Sequence, residues 1–307
     1  MNKKLQQYFE INSKIINKAL DRFLPGTKKT PHVIHEAMRY SINAGGKRLR
    51  PILVMAAAEI CGGKKSSVIP AACAMEMIHT YSLVHDDLPA MDDDDLRRGK
   101  PTSHKVFGED IAILTGDALL TTAFDLLAIN AKLKGIVKES IPEALRIVVK
   151  AAGTFGMIGG QVADIKADKG RWKNLKGTEF TSPQALLEYI HLHKTSALIQ
   201  GSLLLGAVLV GATPRQKQAL NQYGRYLGLT FQVTDDILDI IGDKKKLGKR
   251  GSDQKNAKLT YPALFGLQNS QKRAEIYTQK AISALNLFGK KNHLLTDLAN
   301  FIFQRDH

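Results

Sequence analysis

The sequence predicts an all-α protein, a single large bundle of long helices, and three observations carry that expectation. Apolar residues recur three and four positions apart along nearly the whole chain, the pattern of helices that each bury a face. Period-two runs of β-branched residues are scarce, and no Asn-Gly or Asp-Gly pair joins two of them. The breaks are short and contain Gly, Pro or Lys, as at Cys61–Ser67, Met91–Pro101 and Asp243–Gly251, so none serves as an interdomain linker. One domain spanning residues 1–307 is expected. At 307 residues, 44% hydrophobic and 24% charged, the chain can bury a large core and is far from a disordered composition.

Taken in order, the opening MNKKLQQYFEINSKIINKAL mixes apolar and polar residues at helical spacing. It lacks the basic start and apolar run of a signal peptide, so it reads as a helix of a cytoplasmic protein. Pro51–Cys61 and Pro70–Leu88 each open on proline, which suits a first turn because the missing N–H would have no helical partner there. Asp110–Ala131 opens on an acid that complements a helix N-terminus, and Ile141–Ile158 continues the pattern. Ala167–Thr181, rich in Lys and Gly and holding the single tryptophan, Trp172, reads as a surface loop.

Ser182–Ala212 contains the longest apolar stretch, roughly Ala197 to Ala212. Gln200 and Ser202 interrupt it, and it falls short of the ~20 residues a bilayer requires, so a buried core helix and no transmembrane segment are expected. Pro214–Ile241, the basic run Asp243–Lys258, Thr260–Phe265 and Gln271–Phe288 complete the series. No internal repeat at a solenoid period is present. Cys61 and Cys73 lie in apolar surroundings without CxxC spacing, which argues against a zinc site or a disulfide framework.

The net charge of +15 suits nucleic acid, an anionic surface or small anionic ligands. Basic residues are spread thinly and aromatics make up only 7%, which argues against nucleic acid. The acids, in contrast, are concentrated. Of nineteen aspartates, ten lie in two windows, Asp86–Asp95 and Asp235–Asp243. Both windows are embedded in apolar helical sequence, HTYSLVHDDLPAMDDDD and GLTFQVTDDILDIIGD, where like charges need a neutralising cation or full solvation.

Asp235 and Asp239 are four apart, hence on one helix face roughly 6 Å from each other, with Asp236 beside them. Asp86 and Asp92 would diverge on a straight helix, but Pro89 should kink or end it and let Asp92 swing toward Asp86 and Asp87. Sparse all-oxygen sites of this kind select Mg²⁺ and leave positions for phosphate oxygens. The surrounding basic residues then form a polyanion site: Lys47, Arg48 and Arg50 after Gly45 and Gly46, Arg97 and Arg98 after the first cluster, and Lys194, Lys249 and Lys258 beyond. A P-loop, a GxGxxG turn after a strand and an EF-hand are all absent, which removes support for nucleotide or calcium binding.

Together these residues resemble the trans-isoprenyl diphosphate synthases, most closely the bacterial farnesyl diphosphate synthases. The resemblance spans nearly the whole chain: GGKRLRP, HDDLPAMDDDDLRRGKPTSH, GGQ at Gly159–Gln161, HKTSALI at His193–Ile199, FQVTDDILD, LGKR and KLTYPAL. It implies the isoprenoid synthase fold, an all-α bundle around a deep central cavity, usually as a homodimer, with about three Mg²⁺ per active site. By that resemblance Asp86 and Asp92 are the main ligands of the first motif with Asp87 supporting, and Asp235, Asp236 and Asp239 hold further Mg²⁺. Arg97, Lys194 and Lys258 reach the allylic diphosphate, with Lys249 completing the lid. Gly46, Lys47, Arg50, His79 and Arg98 form the isopentenyl diphosphate site, and Thr195, Gln232 and the Lys194 carbonyl face the allylic cation.

His79, seven residues before Asp86, lies on nearly the same helix face. Tyr81, five before Asp86, lies about 7 Å further down the axis at ~1.5 Å per residue and can floor a pocket. In the resembling family a bulky residue here, with the two-residue insertion in the first motif, goes with C15 products; Tyr81 and Ser82 are thus the implied chain-length residues. The ending FIFQRDH resembles the family's tail, which implies that Arg305 approaches the mouth on closure.

The expected activity is Mg²⁺-dependent head-to-tail (1′-4) condensation of isopentenyl diphosphate with dimethylallyl and geranyl diphosphate. Alternatives on the same residues are a geranyl or geranylgeranyl diphosphate synthase, a terpene cyclase, which would not need GGKRLR, and a silent partner subunit, which would be expected to lose an Asp motif.

Overall fold

The computed structural model describes residues 1–167, 174, 178–241 and 258–305, and within them helix follows helix. Lys249, Trp172 and Asp243 lie outside the described residues. The order is α1 (Lys3–Phe23), α2 (His32–Ile42), α3 (Leu49–Ile60), α4 (Ile69–Asp86), a ribbon of β1 (Leu96–Arg97) and β2 (Lys100–Pro101), α5 (Ser103–Phe107) and α6 (Glu109–Asn130). Then come α7 (Ile141–Ala152), α8 (Met157–Ala167), α9 (Pro183–Ile190), a π-helical segment His191–Ser196, α10 (Ala197–Leu209), α11 (Pro214–Ile241), α12 (Tyr261–Phe265), α13 (Leu267–Ala284) and α14 (His293–Gln304). The all-α expectation holds; the ribbon is the only sheet among the described residues.

The chain divides into two compact units, and the division falls inside α1, α7 and α10 rather than at a linker. The first comprises Gln6–Leu145 and Leu205–Gly211. Its core is α3 and α4, with Pro51 to Ala58 of α3 all buried, and α4 burying Ala71, Ala72, Met75, Met77 and Ile78. α6 packs along α4 through Ala112, Leu119, Ala123 and Leu126, and its Asn130 Oδ1 accepts the Ala71 N–H at 3.0 Å, satisfying a donor at the start of α4. Gly206 lies against the Val54 backbone so closely that a methyl group has no room. Among the described residues α6 alone is long and apolar enough to cross a membrane by length and composition, a property that its sequence did not bring forward.

The second unit comprises Met1–Leu5, Arg146–Leu204 and Ala212–His307. Here α11 and α13 run against each other through Leu229, Val233, Ile237, Ala274 and Tyr277. A second cluster gathers Ala163 and Ala167 of α8, Leu186, Leu187 and Ile190 of α9, and Leu259. Ser182 caps α9 by accepting the Ala185 N–H at 3.1 Å, and Thr260 caps α12 in the same way.

The structure corrects two predicted elements. Ile141–Ile158 is not one helix, because the chain turns at Gly153–Gly156 between α7 and α8; a Cβ at either glycine would collide with carbonyls of the preceding turn. Ser182–Ala212 is likewise three consecutive pieces, with the wide π turn in the middle. Periodicity alone does not reveal α2, α5, α14 or the ribbon, whose two-residue turn, Arg98–Gly99, has positive φ at both positions (54° and 76°).

Candidate functional site

The predicted residues fall into two sets, one in each unit. In the first unit α4 ends at Asp86 and the chain folds back. The Asp92 N–H donates to the Asp86 carbonyl at 2.9 Å, and the Asp93 N–H to the Leu88 carbonyl at 3.1 Å. The expected return of Asp92 beside Asp86 at Pro89 is thus present. Asp87 is buried, and its carboxylate is gripped by Arg97, whose Nε donates to Oδ1 at 2.7 Å and to Oδ2 at 2.9 Å, with Nη2 joining on Oδ1. Arg97 also stands 3.6 Å from Asp94. Asp86 is half-buried and Asp92 exposed.

The ribbon explains how two consecutive arginines serve different partners: β1 presents Arg97 to Asp87, while the tight turn sends Arg98 to the Gly45 carbonyl. Arg98 lies against Gly46, where a Cβ would strike its guanidinium, and Gly46 has φ 128°, so both space and backbone call for glycine. Lys47 is exposed on this loop. Arg48, in the left-handed region at φ 51°, is buried and donates to Asn17 Oδ1, Glu76 Oε1 and the Ile42 carbonyl, each at 2.8 Å, and to the Gly45 carbonyl at 3.3 Å.

Arg50 and His79 lie nearby, half-buried. Burial lowers the Arg50 guanidinium to about 10 even though Glu76 pulls it upward. His79 is held well below the usual imidazole range, by burial first and then by Arg50, Arg98, Arg97 and Arg48, so it is neutral near pH 7. A pocket lined by Glu76, His79, Asp87, Arg97, Arg98 and Thr102 opens here, suited by charge to a polyanion. On the flank of α4, Tyr81 is 6% exposed, stands edge-on to His85 at 5.7 Å, and has its hydroxyl buried without a hydrogen-bond partner. Ser82 Oγ donates to the His79 carbonyl at 2.9 Å.

In the second unit α11 carries Asp235, Asp236 and Asp239. Asp236 is buried, and both of its oxygens accept from the chain: Oδ1 from Gln232 Nε2 at 3.0 Å and Oδ2 from the Tyr261 N–H at 2.9 Å, with His191 Nε2 at 3.4 Å. Gln232 Oε1 in turn accepts the Thr195 hydroxyl at 2.8 Å, so Thr195, Gln232 and Asp236 form one oriented relay. Asp235 is paired with Arg305. Asp239 is half-buried on the same helix, one turn on.

Lys194 and Thr195 sit in the π segment, which two glycines hold close to its neighbours. Gly160 of α8 touches the Lys194 backbone and Gly228 of α11 touches Ser196; a Cβ at either would overlap. Lys194 Nζ is 2.5 Å from Asp164 Oδ2. Burial pushes the Asp164 carboxyl up, but Lys194, Lys258 and His191 draw it below its ordinary value. Sequence reasoning missed Asp164, His191 and Glu76; Asp164 had a readable signal, since it lies three residues after Gln161 in the GGQ segment.

Among the described residues no three His, Cys, Asp or Glu side chains converge into a ready-made metal cage. That suits Mg²⁺, which retains waters and takes one or two carboxylates plus substrate phosphates, and the donors offered by Asp86, Asp92, Asp235 and Asp239 are the hard oxygens it requires.

Comparison with known proteins agrees. A model of the polyprenyl synthetase family matches residues 31–289. The chain is 48% identical over 302 residues to a heterodimeric geranylgeranyl pyrophosphate synthase large subunit from Arabidopsis thaliana, covering 98% of this chain and 79% of that one. It is 43% identical over 309 residues to a farnesyl diphosphate synthase from Geobacillus stearothermophilus, covering 99% and 98%. Among solved structures, an apo FPP/GFPP synthase from Zymomonas mobilis matches with a TM-score of 0.82 and 32% identity over 98% of this chain and 99% of that one.

Proposed function

Starting from the fact that this chain belongs to the polyprenyl synthetase family and is a prenyltransferase, we propose that it is a farnesyl diphosphate synthase, joining isopentenyl diphosphate head to tail to dimethylallyl and then geranyl diphosphate. The observation that carries the C15 assignment is Tyr81. A buried aromatic ring one and a half turns before Asp86 is a stop for a growing apolar chain. A second reading, a geranylgeranyl diphosphate synthase, draws on the 48% identity to the Arabidopsis thaliana subunit.

In this reading Arg50, Arg98 and Lys47 bind the isopentenyl diphosphate, with neutral His79 and Gly46 beside them. Arg97, Lys194 and Lys258 draw charge from the allylic diphosphate as its C–O bond breaks, with Lys249 assigned to the same task. Asp164 supports this step by holding the Lys194 ammonium in place. Asp86, Asp92, Asp235 and Asp239 would hold Mg²⁺, which supplies Lewis-acid neutralisation of the leaving diphosphate. Asp87 and Asp236 contribute by fixing Arg97 and Gln232. Gln232 is thereby oriented, together with Thr195, to face the allylic cation with oxygen. The isopentenyl double bond then attacks that cation, and a proton departs to the released diphosphate, so no protein nucleophile is needed.

Homodimerisation is part of the proposal, supported by the exposed apolar residues Ile113, Leu114, Phe124 and Ile129 on α6. The test is incubation with isopentenyl diphosphate and either dimethylallyl or geranyl diphosphate, with and without Mg²⁺, followed by chain-length analysis. A C15 product that requires Mg²⁺ and lengthens in Tyr81→Ala is expected. A C20 product from the unmodified protein overturns the C15 assignment, and an unchanged product from Tyr81→Ala removes Tyr81 as the stop.

A further inference from the structure

We propose that Arg305 guards the second acidic cluster: it occupies Asp235 in the metal-free protein and must leave before a divalent cation takes that carboxylate, an inference that rests on reading this cluster as a Mg²⁺ site. Arg305 directly follows α14, 70 positions beyond Asp235, yet its side chain is only 10% exposed. One nitrogen, Nη2, donates both to Asp235 Oδ1 at 2.9 Å and to the Phe231 carbonyl at 3.0 Å. The guanidinium carbon sits 4.1 Å from the centroid of the Phe231 ring, one turn before Asp235 on α11.

The seat is specific but incompletely satisfied. Arg305 Nε is buried and has no hydrogen-bond partner, whereas Arg48, a buried arginine in the other unit, has partners for Nε, Nη1 and Nη2. The Phe231 carbonyl lies within α11, where it also serves as an acceptor for the helix. Arg305 is thus docked by one edge and a ring face, an arrangement that holds it in place and still allows exchange. The Asp235 side chain is 40% exposed, so a cation can approach from solvent. A Mg²⁺ ion about 2.1 Å from Oδ1 would lie beside a second positive group on the same oxygen, and the two repel. Occupancy by Arg305 and by the metal are therefore competing states, and removing the arginine shifts the balance to the metal.

The experiment is calorimetric titration of MgCl₂ into the full-length protein with inorganic diphosphate present, comparing wild type, Arg305→Gln, Arg305→Lys, Asp235→Asn and Arg273→Gln. Arg305→Gln is expected to bind Mg²⁺ about fivefold more tightly than wild type, as for loss of a partly exposed ion pair of this geometry. Arg305→Lys, which keeps the stem and charge but loses the fork, falls between the two and serves if the glutamine variant does not fold. Arg273, whose guanidinium lies over Tyr277, reports bulk charge alone, and Arg273→Gln should bind like wild type. Equal or weaker binding by both Arg305 variants, or an equal gain in Arg273→Gln, overturns the guard. Absence of saturable Mg²⁺ binding in wild type, or wild-type binding by Asp235→Asn, overturns the metal reading of the cluster and the guard with it.

Discussion

Replacing Arg48 with methionine tests the architecture of the first set of site residues. The Arg48 and Glu76 side chains are 5% and 4% exposed, and the pair is 2.8 Å apart. Methionine removes the charge and also the donors to Asn17, Ile42 and Gly45, leaving the Glu76 carboxylate buried without its countercharge. Breaking a buried pair from one side costs about 3–5 kcal/mol, most of it the penalty of the stranded charge. At about 2 °C per kcal/mol for a chain this long, the melting temperature falls by roughly 6–10 °C. Glu76→Gln keeps an oxygen for Arg48 and is expected to cost only about 1–2 kcal/mol. Arg48→Met combined with Glu76→Leu removes both charges and should recover at least about 2 kcal/mol relative to the sum of the single variants. Urea unfolding monitored by far-ultraviolet circular dichroism gives all four corners of the cycle. Because Arg48 also holds the Gly45 carbonyl, the KM for isopentenyl diphosphate should rise in Arg48→Met at temperatures where the variant is folded. A loss below about 1 kcal/mol, or strict additivity in the double variant, would refute the reasoning.

Two further outcomes are expected from the same geometry. His79 has its folded pKa depressed well below the ordinary 6.5 by burial and neighbouring arginines, so only the unfolded chain takes up its proton. Its contribution is therefore intact above pH 6.5 and lost as pH falls toward the folded value; wild type should lose up to about 2 kcal/mol between pH 8 and pH 5 that His79→Gln does not lose, as read by urea melts at both pH values. Gly160→Ala forces a methyl group into the Lys194 backbone and should cost about 1–3 kcal/mol together with at least a tenfold drop in kcat. Gly26→Ala, with open space around it, should stay within about 0.5 kcal/mol of wild type, and equal effects at both glycines would remove the packing argument.

What the sequence made legible was local. The ends of α4 and α11, the return of the chain at Pro89 and the shared face of Asp235 and Asp239 all stem from spacing within a few residues. The partners that orient these residues were not legible, because they come from far along the chain: Glu76 lies 28 residues from Arg48, Asp164 lies 30 from Lys194, and Arg305 lies 70 from Asp235. The Arg98–Gly99 turn escaped for another reason. Arginine is not a residue that advertises positive φ, and the turn exists because the ribbon demands it. The π segment was invisible in the apolar pattern, since periodicity near 3.6 reports which side is buried rather than which carbonyl each N–H reaches.

That wide turn gives the chain an uneven tolerance for changes in its own length. A π turn accommodates one residue more than an α turn, and each residue in a helix advances the phase by about 100°. Removing one residue anywhere in His191–Ser196 would let the segment relax to ordinary α-helix and rotate α10 against α9 by about that angle. Lys194 would swing off Asp164, or Thr195 off Gln232, without any change of residue type. A single-codon deletion here is thus a rotation of the catalytic face, whereas the same deletion in an exposed connection such as Gly211–Thr213 merely shortens a turn.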